Sequence, residues 1–223
     1  MEKIYPDSEV ELTPFLAKHY DILLNIVTLG VYRRFIRKAI AGMGIREEDH
    51  ILDLGCGTGT WLRYLVELGA APGNCTGIDI SEQRIQKARL KNRDIKYLVT
   101  DGINIPFPDG SFDIVMQIVT LSSITDESIW KNLVNEMKRV NTEDGYIFWF
   151  DHIKAFSDKL IGFTEKEVLD LFDGYEPVYK SRTDPYFIRK YYRRFPKLTA
   201  ALTYLCKGKT ESVFMVLKRK NNP

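Results

Sequence analysis

Three glycines occupy alternate positions in a short segment between two apolar runs. They are Gly55, Gly57 and Gly59 in the segment LDLGCGTGT (52–60). Glycine loses more backbone freedom on folding than any other residue, so this density indicates a local requirement, such as a ligand that must approach the backbone closely. The spacing G-x-G-x-G differs from the G-x-G-x-x-G of dinucleotide-binding proteins, because the sixth position counted from Gly55 is Thr60. The segment therefore predicts a ligand-binding loop and disfavours a nicotinamide cofactor.

Aspartates stand at or near the ends of three successive apolar runs. Asp53 lies just before the glycines, Asp79 follows in GIDIS, and Asp101 follows in LVTDG. Carboxylate oxygens accept hydrogen bonds, for instance from ribose hydroxyls or from an exocyclic amine such as that of adenine. In open α/β sheets, ligands lie beyond the carboxyl ends of the strands. Glycines and acids at successive strand ends therefore predict a nucleoside site with a small polar tail.

The segments that position these residues alternate between strand-like and helix-like patterns. Such alternation predicts a parallel sheet with helices on both faces. One or two amphipathic helices are expected over 14–41, and an interrupted helix over 186–205. Ser81 and Asp126 are expected to cap helices. The predicted strands are 50–54, 75–80, 95–101, 112–119, 145–151 and 211–220, and the other predicted helices are 60–69, 81–92, 126–140 and 164–175.

The composition is that of an ordinary globular protein. The chain has 223 residues, 44% of them hydrophobic and 28% charged, and a formal net charge of +2. Its three cysteines are odd in number, and their spacing fits neither a disulfide framework nor a zinc site. No run reaches the roughly 18 apolar residues of a membrane-spanning helix, and the N-terminus lacks an apolar signal core. These features predict a cytoplasmic protein without a metal.

Four motifs follow one another along about 51–151: LDLGCGTGT, GIDIS, TDG and PFPDGSFDIVMQ. In this combination the chain resembles the class I S-adenosylmethionine-dependent methyltransferases. The resemblance implies an α/β, Rossmann-like fold with a seven-stranded, mostly parallel sheet, helices on both faces, an antiparallel last strand and an N-terminal helical lid. It also implies S-adenosyl-L-methionine as the cofactor and S-adenosyl-L-homocysteine as the product.

The same resemblance assigns cofactor contacts to individual residues. The glycine loop would hold the methionine end of the cofactor, and the acids at the following strand ends would hold its nucleoside. The implied contacts are Asp53, Gly55, Cys56, Gly57 and Gly59 at the methionine end, Asp79 at the ribose, Ile80, Asp101 and Gly102 at the adenine, the Gln117 backbone at the methionine ammonium, and Tyr20 in the lid.

The sequence offers no obvious general base, which methyl transfer to a hydroxyl would need. Many small-molecule members of the family carry an acid–His or His–His pair just after the fourth strand, where this chain has Ser122 and Ser123. The candidate catalytic residues are Asp151 and His152, which follow the fifth strand, and His19 in the N-terminal helix. The alternatives are that Asp151 and His152 cap a loop and that His19 is a solvated helix residue.

The N-terminal segment is similar to that of the ubiquinone/menaquinone biosynthesis methyltransferases. These enzymes have an aromatic–Asp pair, an Asn, a Gly and a basic aromatic stretch, which match Tyr20–Asp21, Asn25, Gly30 and VYRRF (31–35). Their Arg–Asn pair after the fourth strand is missing here. The resemblance predicts methyl transfer by in-line displacement to a small-molecule acceptor, with a quinol-like or lipophilic compound as the leading candidate.

The whole chain, 1–223, is predicted to form one methyltransferase domain. Residues 1–45 would form the helical lid, 46–153 the cofactor-binding core, and 154–223 the substrate-side half with a basic helical insertion and the last strand. From Pro177 onward there are twelve Lys or Arg against two Asp or Glu. This composition suits peripheral contact with an anionic membrane, and also a helix that covers the substrate with its cations facing water.

Two other functions are compatible with parts of the sequence. An RNA methyltransferase would use the basic C-terminal region, but the [DNS]-P-P-[YF] run expected after the fourth strand is absent, so nucleic acid is not the expected partner. A non-catalytic protein could use the fold as an interaction scaffold, although the intact glycine loop argues against this. The sequence gives no indication of the oligomeric state.

Overall fold

A computed structural model describes residues 31–153, 161–183 and 212–220. A single sheet with the strand order β3-β2-β1-β4-β5-β7-β6 forms its centre. The strands are β1 (Ile51–Leu54), β2 (Cys75–Asp79), β3 (Lys96–Val99), β4 (Phe112–Ile118), β5 (Asn141–His152), β6 (Tyr175–Thr183) and β7 (Ser212–Arg219).

Helices connect most of these strands, and several begin at the predicted caps. The Ser81 hydroxyl accepts a hydrogen bond from the Arg84 backbone N–H, and the Asp126 carboxylate accepts one from Ser128 N–H. Thr164 begins the next helix with a reciprocal capping box. The helices are α1 (Val31–Met43), α2 (Thr60–Glu67), α3 (Glu82–Lys91), α4 (Glu127–Val140) and α5 (Glu165–Leu171), with short 3₁₀ turns at Pro72–Asn74 and Leu121–Ser123.

The topology places β1 at the point where the strand order reverses. β1 pairs in parallel with β2 on one side and with β4 on the other, and β4 pairs in parallel with β5. β7 is antiparallel to both β5 and β6, so it alone runs against the other strands. This confirms the predicted seven-stranded, mostly parallel α/β sheet with an antiparallel last strand. The crevice beyond β1 and β4 is therefore where a ligand of this fold is expected.

Apolar side chains cover both faces of the sheet. On one face, Leu52 and Trp149 pack with residues of α4 and α5. On the other face, Ile51 packs with residues of α1, α2 and α3. Ile36 and Ala39 of α1 are 2% and 0% exposed. The described part of the predicted lid therefore packs against the sheet, while residues 1–30 lie outside the described residues.

Two strands differ from the sequence predictions. β5 begins at Asn141, directly after α4 ends at Val140, rather than at 145. β6 was not expected from its own pattern, and the predicted helix over 186–205 lies outside the described residues.

Candidate functional site

The glycine loop (residues 55–59) adopts the left-handed backbone conformation at each of its glycines. The φ angles are 71° at Gly55, 55° at Gly57 and 72° at Gly59. A Cβ on Gly55 would overlap the Thr120 side chain, and one on Gly59 would overlap the Tyr97 hydroxyl, whereas one on Gly57 would meet nothing within 4 Å. The protein's own side chains thus require glycine at the two ends of the loop. Only Gly57 faces the open space that the predicted ligand requires.

Asp79 joins the glycine loop to the end of β2. Its Oδ2 accepts a hydrogen bond from Gly57 N–H at 2.9 Å, and its Oδ1 accepts one from Ser81 N–H at 2.9 Å. The residue is 5% exposed. Each carboxylate oxygen can accept more than one hydrogen bond, so Asp79 retains capacity for the ribose hydroxyls predicted to bind there.

Asp53 is a buried acid with an uncompensated oxygen. It is 1% exposed, and its Oδ2 has no hydrogen-bond partner in the structure. Burial, and secondly the charge of Asp79, raise the pKa of Asp53 well above its usual value. A buried carboxylate is stable only when it is paired or protonated. A cationic group on a ligand that reached Asp53 would satisfy it, and the ammonium of the predicted cofactor has that chemistry.

Cys56 packs inward from the same loop. It is 5% exposed, and a Cβ on Gly77 of β2 would overlap its sulfur. Burial raises the pKa of the Cys56 thiol, which excludes a reactive thiolate at neutral pH. The structure therefore gives Cys56 a packing role beneath the loop, and its predicted cofactor contact stays a prediction.

The predicted adenine-side residues lie at the ends of β2 and β3. Ile80 is 40% exposed, as a residue that covers a ligand would be. Asp101 accepts hydrogen bonds from the backbone N–H groups of Ile103 and Asn104 at 2.8 and 3.0 Å, which lower its pKa. Gly102 between them has a φ of 72°. Asp101 thus shapes its own turn, and its contact with adenine stays a prediction.

The loop after β4 (residues 119–125, here called the β4 loop) contacts the glycine loop. The sequence did not indicate this contact. Thr120 donates a hydrogen bond from its Oγ1 to the Leu54 carbonyl at 3.0 Å. Gln117 is fully buried, and its Oε1 accepts the Thr120 N–H at 3.1 Å. Val119 has a φ of 56°, which a β-branched residue rarely adopts. Such strain persists only where the surroundings fix it, and it is common at functional sites.

The side chains of Asp151 and His152 point to opposite faces of the sheet, as those of neighbouring strand residues do. Asp151 is fully buried, and its carboxylate accepts the Ser122 N–H at 3.0 Å and the His152 N–H at 2.8 Å. Burial raises the pKa of Asp151 to about 6. Its contacts are those of a residue that holds the β4 loop, and the predicted catalytic role stays untested.

His152 lies on the opposite face, which it shares with α1, α2 and α3. The residue is 8% exposed, and its Nδ1 lies 3.0 Å from the Ser212 hydroxyl. Burial lowers the pKa of His152, so the imidazole is neutral at pH 7. The sequence did not indicate Ser212, because it lies on β7, far along the chain. His19 and Tyr20 lie outside the described residues.

The described ranges contain no group of three His, Cys, Asp or Glu side chains that could hold a metal ion. Within the same ranges, no helix is both long and apolar enough to cross a membrane.

The comparisons with known proteins agree with this geometry. Residues 51–145 match the model of a family described as methyltransferase domain. Residues 51–145 are therefore similar to a methyltransferase domain, and the chain has the α/β fold of solved SAM-dependent methyltransferases, as the sequence predicted. S-adenosylmethionine stays the predicted cofactor, and the roles of Asp53, Asp79 and Gly57 in binding it stay predictions.

Individual relatives are similar over part or most of the chain. A demethylmenaquinone methyltransferase of Staphylococcus aureus is 30% identical over 135 residues, covering 59% of this chain and 55% of the relative. The chain thus spans about half the length of the curated relatives it matches. A SAM-dependent methyltransferase from Methanosarcina mazei has a TM-score of 0.63 at 19% identity, covering 81% of this chain and 96% of that one. One from Aquifex aeolicus has a TM-score of 0.56 at 20% identity, covering 82% and 88%.

Proposed function

We propose that this chain transfers a methyl group from S-adenosylmethionine to a small, lipophilic, quinol-like acceptor. The observation that carries the proposal is a pair of buried acids: the Asp53 Oδ2 has no hydrogen-bond partner, and the neighbouring Asp79 binds the N–H of Gly57, the open position of the glycine loop. A cationic nucleoside ligand near these acids would offset the burial and the Asp79 charge that raise the pKa of Asp53, and would favour the ionised carboxylate. When bound, the cofactor supplies an electrophilic methyl group for in-line displacement.

The residues of the chain would divide the work of holding this cofactor. The glycine loop and Asp53 would hold the methionine end, and Asp79 would orient the ribose. Ile80 and Asp101 would border the adenine. Rigid strand ends position all of these groups, which is what the close orientation of a transferred methyl group requires.

The proposed acceptor class follows from the relatives and from the N-terminal motif. The curated relatives are named demethylmenaquinone methyltransferases, and the Tyr20–Asp21 motif lies outside the described residues. The chain lacks the Arg–Asn pair that this branch carries after the fourth strand, so the acceptor need not be the same quinol. The division into lid, core and substrate-side half is part of the same proposal.

His152 is the proposed proton acceptor for an acceptor hydroxyl. Its imidazole is neutral at pH 7 because burial lowers its pKa, and Ser212 orients the ring through Nδ1. A neutral, oriented imidazole is the form a general base needs. Replacing His152 by Gln should lower kcat at least about 100-fold, the usual contribution of a general base, and leave the affinity for S-adenosylhomocysteine unchanged. A variant with normal kcat would refute the role of His152.

The decisive experiment is calorimetric titration of the purified chain with S-adenosylhomocysteine, with NAD as the control. Binding of the first ligand alone supports the cofactor assignment. Transfer of labelled methyl from S-adenosylmethionine to quinols and phenols then tests the acceptor class. If neither ligand binds, the proposed methyl transfer is wrong, and a non-catalytic scaffold becomes the better explanation.

The basic segment 186–205, which lies outside the described residues, is proposed to contact anionic membranes that hold a lipophilic acceptor. Its mixture of Lys and Arg with aromatic and leucine side chains suits an interfacial helix. Changing Arg189, Lys190, Arg193 and Arg194 to Gln should reduce co-sedimentation with vesicles containing phosphatidylserine. If the wild-type chain does not co-sediment with them, membrane contact is excluded.

A further inference from the structure

The glycine loop is held from two sides, and the two sides use different chemistry. From the β2 side, Gly55 and Cys56 both donate backbone hydrogen bonds to the Ile78 carbonyl, at 2.8 and 3.0 Å, and Asp79 accepts the Gly57 N–H. These contacts are continuous with the sheet. From the β4 side, a side chain that no sequence motif indicated supplies the contact.

That side chain is Thr120. Its Oγ1 donates to the Leu54 carbonyl at 3.0 Å, at the residue where β1 ends and the loop begins. Its Cγ2 and Oγ1 also fill the space that a Cβ on Gly55 would need. One side chain therefore fixes the last carbonyl of β1 and packs against the first glycine of the loop.

Hydrogen bonds of its own backbone N–H and C=O groups hold Thr120 in this orientation. Its N–H is donated to Gln117 Oε1 at 3.1 Å, and its carbonyl accepts the Ser123 N–H at 3.1 Å. The preceding residue, Val119, donates its N–H to the Phe150 carbonyl at 2.8 Å and has the left-handed φ of 56°. The strained turn is thus anchored to β4 and β5, and it directs Thr120 at the glycine loop.

We propose that Thr120 is a positioning residue that sets the glycine loop for cofactor binding from the β4 side. The inference rests on the proposed function, since the loop is taken to be the cofactor loop. Thr120 also ties that loop to the segment carrying Ser122, whose N–H is held by Asp151. The cofactor side and the predicted acceptor side of the crevice are therefore linked through one short, rigid segment.

The test compares three variants with the wild-type chain. Thr120→Val keeps the two γ atoms that pack on Gly55 but removes the donor to Leu54. Thr120→Ser keeps the donor and removes the methyl group. Thr125→Val makes the same threonine-to-valine change at an exposed position of the β4 loop and is the matched control.

Two readouts are measured: the Kd for S-adenosylhomocysteine by calorimetry, and hydrogen exchange of the peptide covering residues 52–60. We expect Thr120→Val to raise the Kd about five- to tenfold, the size of one lost hydrogen bond, and to speed exchange in that peptide. Thr120→Ser and Thr125→Val should stay within about twofold of wild type.

The outcomes separate the two proposals. If wild type binds and Thr120→Val has normal affinity and exchange, the positioning role is wrong. If Thr120→Val lowers the unfolding midpoint but leaves the affinity for S-adenosylhomocysteine unchanged, the role of Thr120 is purely structural. If wild type does not bind S-adenosylhomocysteine at all, the proposed function fails, and with it the cofactor part of this inference.

Discussion

Replacing Asp151 with asparagine should remove a pH dependence from the free energy of unfolding. Burial raises the pKa of this carboxyl from the ordinary 3.8 to about 6. The folded protein therefore binds a proton more tightly than the unfolded chain, and stability is lost as the pH rises through this window. At 1.36 kcal/mol per pKa unit, the loss amounts to roughly 3 kcal/mol, most of it between pH 4 and 7.

The asparagine side chain of the variant does not titrate, but the substitution lowers the free energy of unfolding by an amount that does not depend on pH. Asp151 accepts N–H groups from both Ser122 and His152. An asparagine oxygen can satisfy one of them, while its NH₂ group faces the other, which costs about 1–3 kcal/mol. The variant should thus be the less stable protein at pH 4, and the difference should shrink or reverse by pH 7.

Urea unfolding at a series of pH values, followed by tryptophan fluorescence, to which the buried Trp149 contributes, measures both curves. The raised pKa of Asp53 affects both proteins and cancels in the difference. Asp126→Asn is a control whose pH dependence should have the opposite sign. Hydrogen bonds from Ser128 lower the pKa of the Asp126 carboxyl, so the destabilisation caused by this substitution should grow as the pH rises. Parallel curves for wild type and Asp151→Asn would show that the carboxyl is hydrated and that the described burial is wrong.

The glycine loop gives three further predictions. Asp79→Ala should weaken S-adenosylhomocysteine binding by roughly 1.5–3 kcal/mol in calorimetry, because charge-assisted hydrogen bonds are lost. The control Asp94→Ala, at an exposed position, should leave the affinity unchanged. Equal affinities of the two variants would rule out the ribose assignment. Gly59→Ala should cost roughly 2–4 kcal/mol in urea unfolding, since the left-handed strain adds to overlap with Tyr97. Gly57→Ala should cost only about 1–2 kcal/mol of strain yet impair ligand binding; equal stability losses at the two glycines would contradict the described packing.

The predicted strands agree best with the structure where a strand is buried along its whole length. β1 and β2 are buried along their whole length, so each is a short apolar run that a sequence pattern can identify. The glycines and acids that are predicted to bind the ligand lie within these runs or directly after them. For that reason the position of the crevice was predictable from the sequence, while the roles of its candidate residues stay predictions.

β6 shows where local pattern fails. It is an edge strand that includes Pro177, has a shift of register between Pro177 and Tyr179, and exposes Val178 to 50%. Proline and polar residues are tolerated at a sheet edge because one side needs no hydrogen bonds. Pairing with β7 therefore creates this strand, and its own residues give little signal.

Contacts between distant positions were also beyond the sequence. Thr120 and Tyr97 require glycine at positions 55 and 59, which is a reason that the sequence did not indicate. These partners lie far along the chain, and only the folded sheet brings them together. The opposite orientation of Asp151 and His152, by contrast, follows from strand alternation and could have been predicted.

The position of β7 has a consequence for synthesis of the chain. This strand, Ser212–Arg219, lies between β5 and β6, yet it is translated after both. Ser212 of β7 is hydrogen-bonded to His152 of β5, which lies 60 residues earlier in the chain. Translation of that length takes roughly 3–12 s at about 5–20 residues per second. Until then, one side of β5 has no strand beside it, and its unpaired backbone groups can template pairing with another chain. A nascent chain that stalls before Ser212 should therefore be prone to aggregation, with a chaperone as its natural protection.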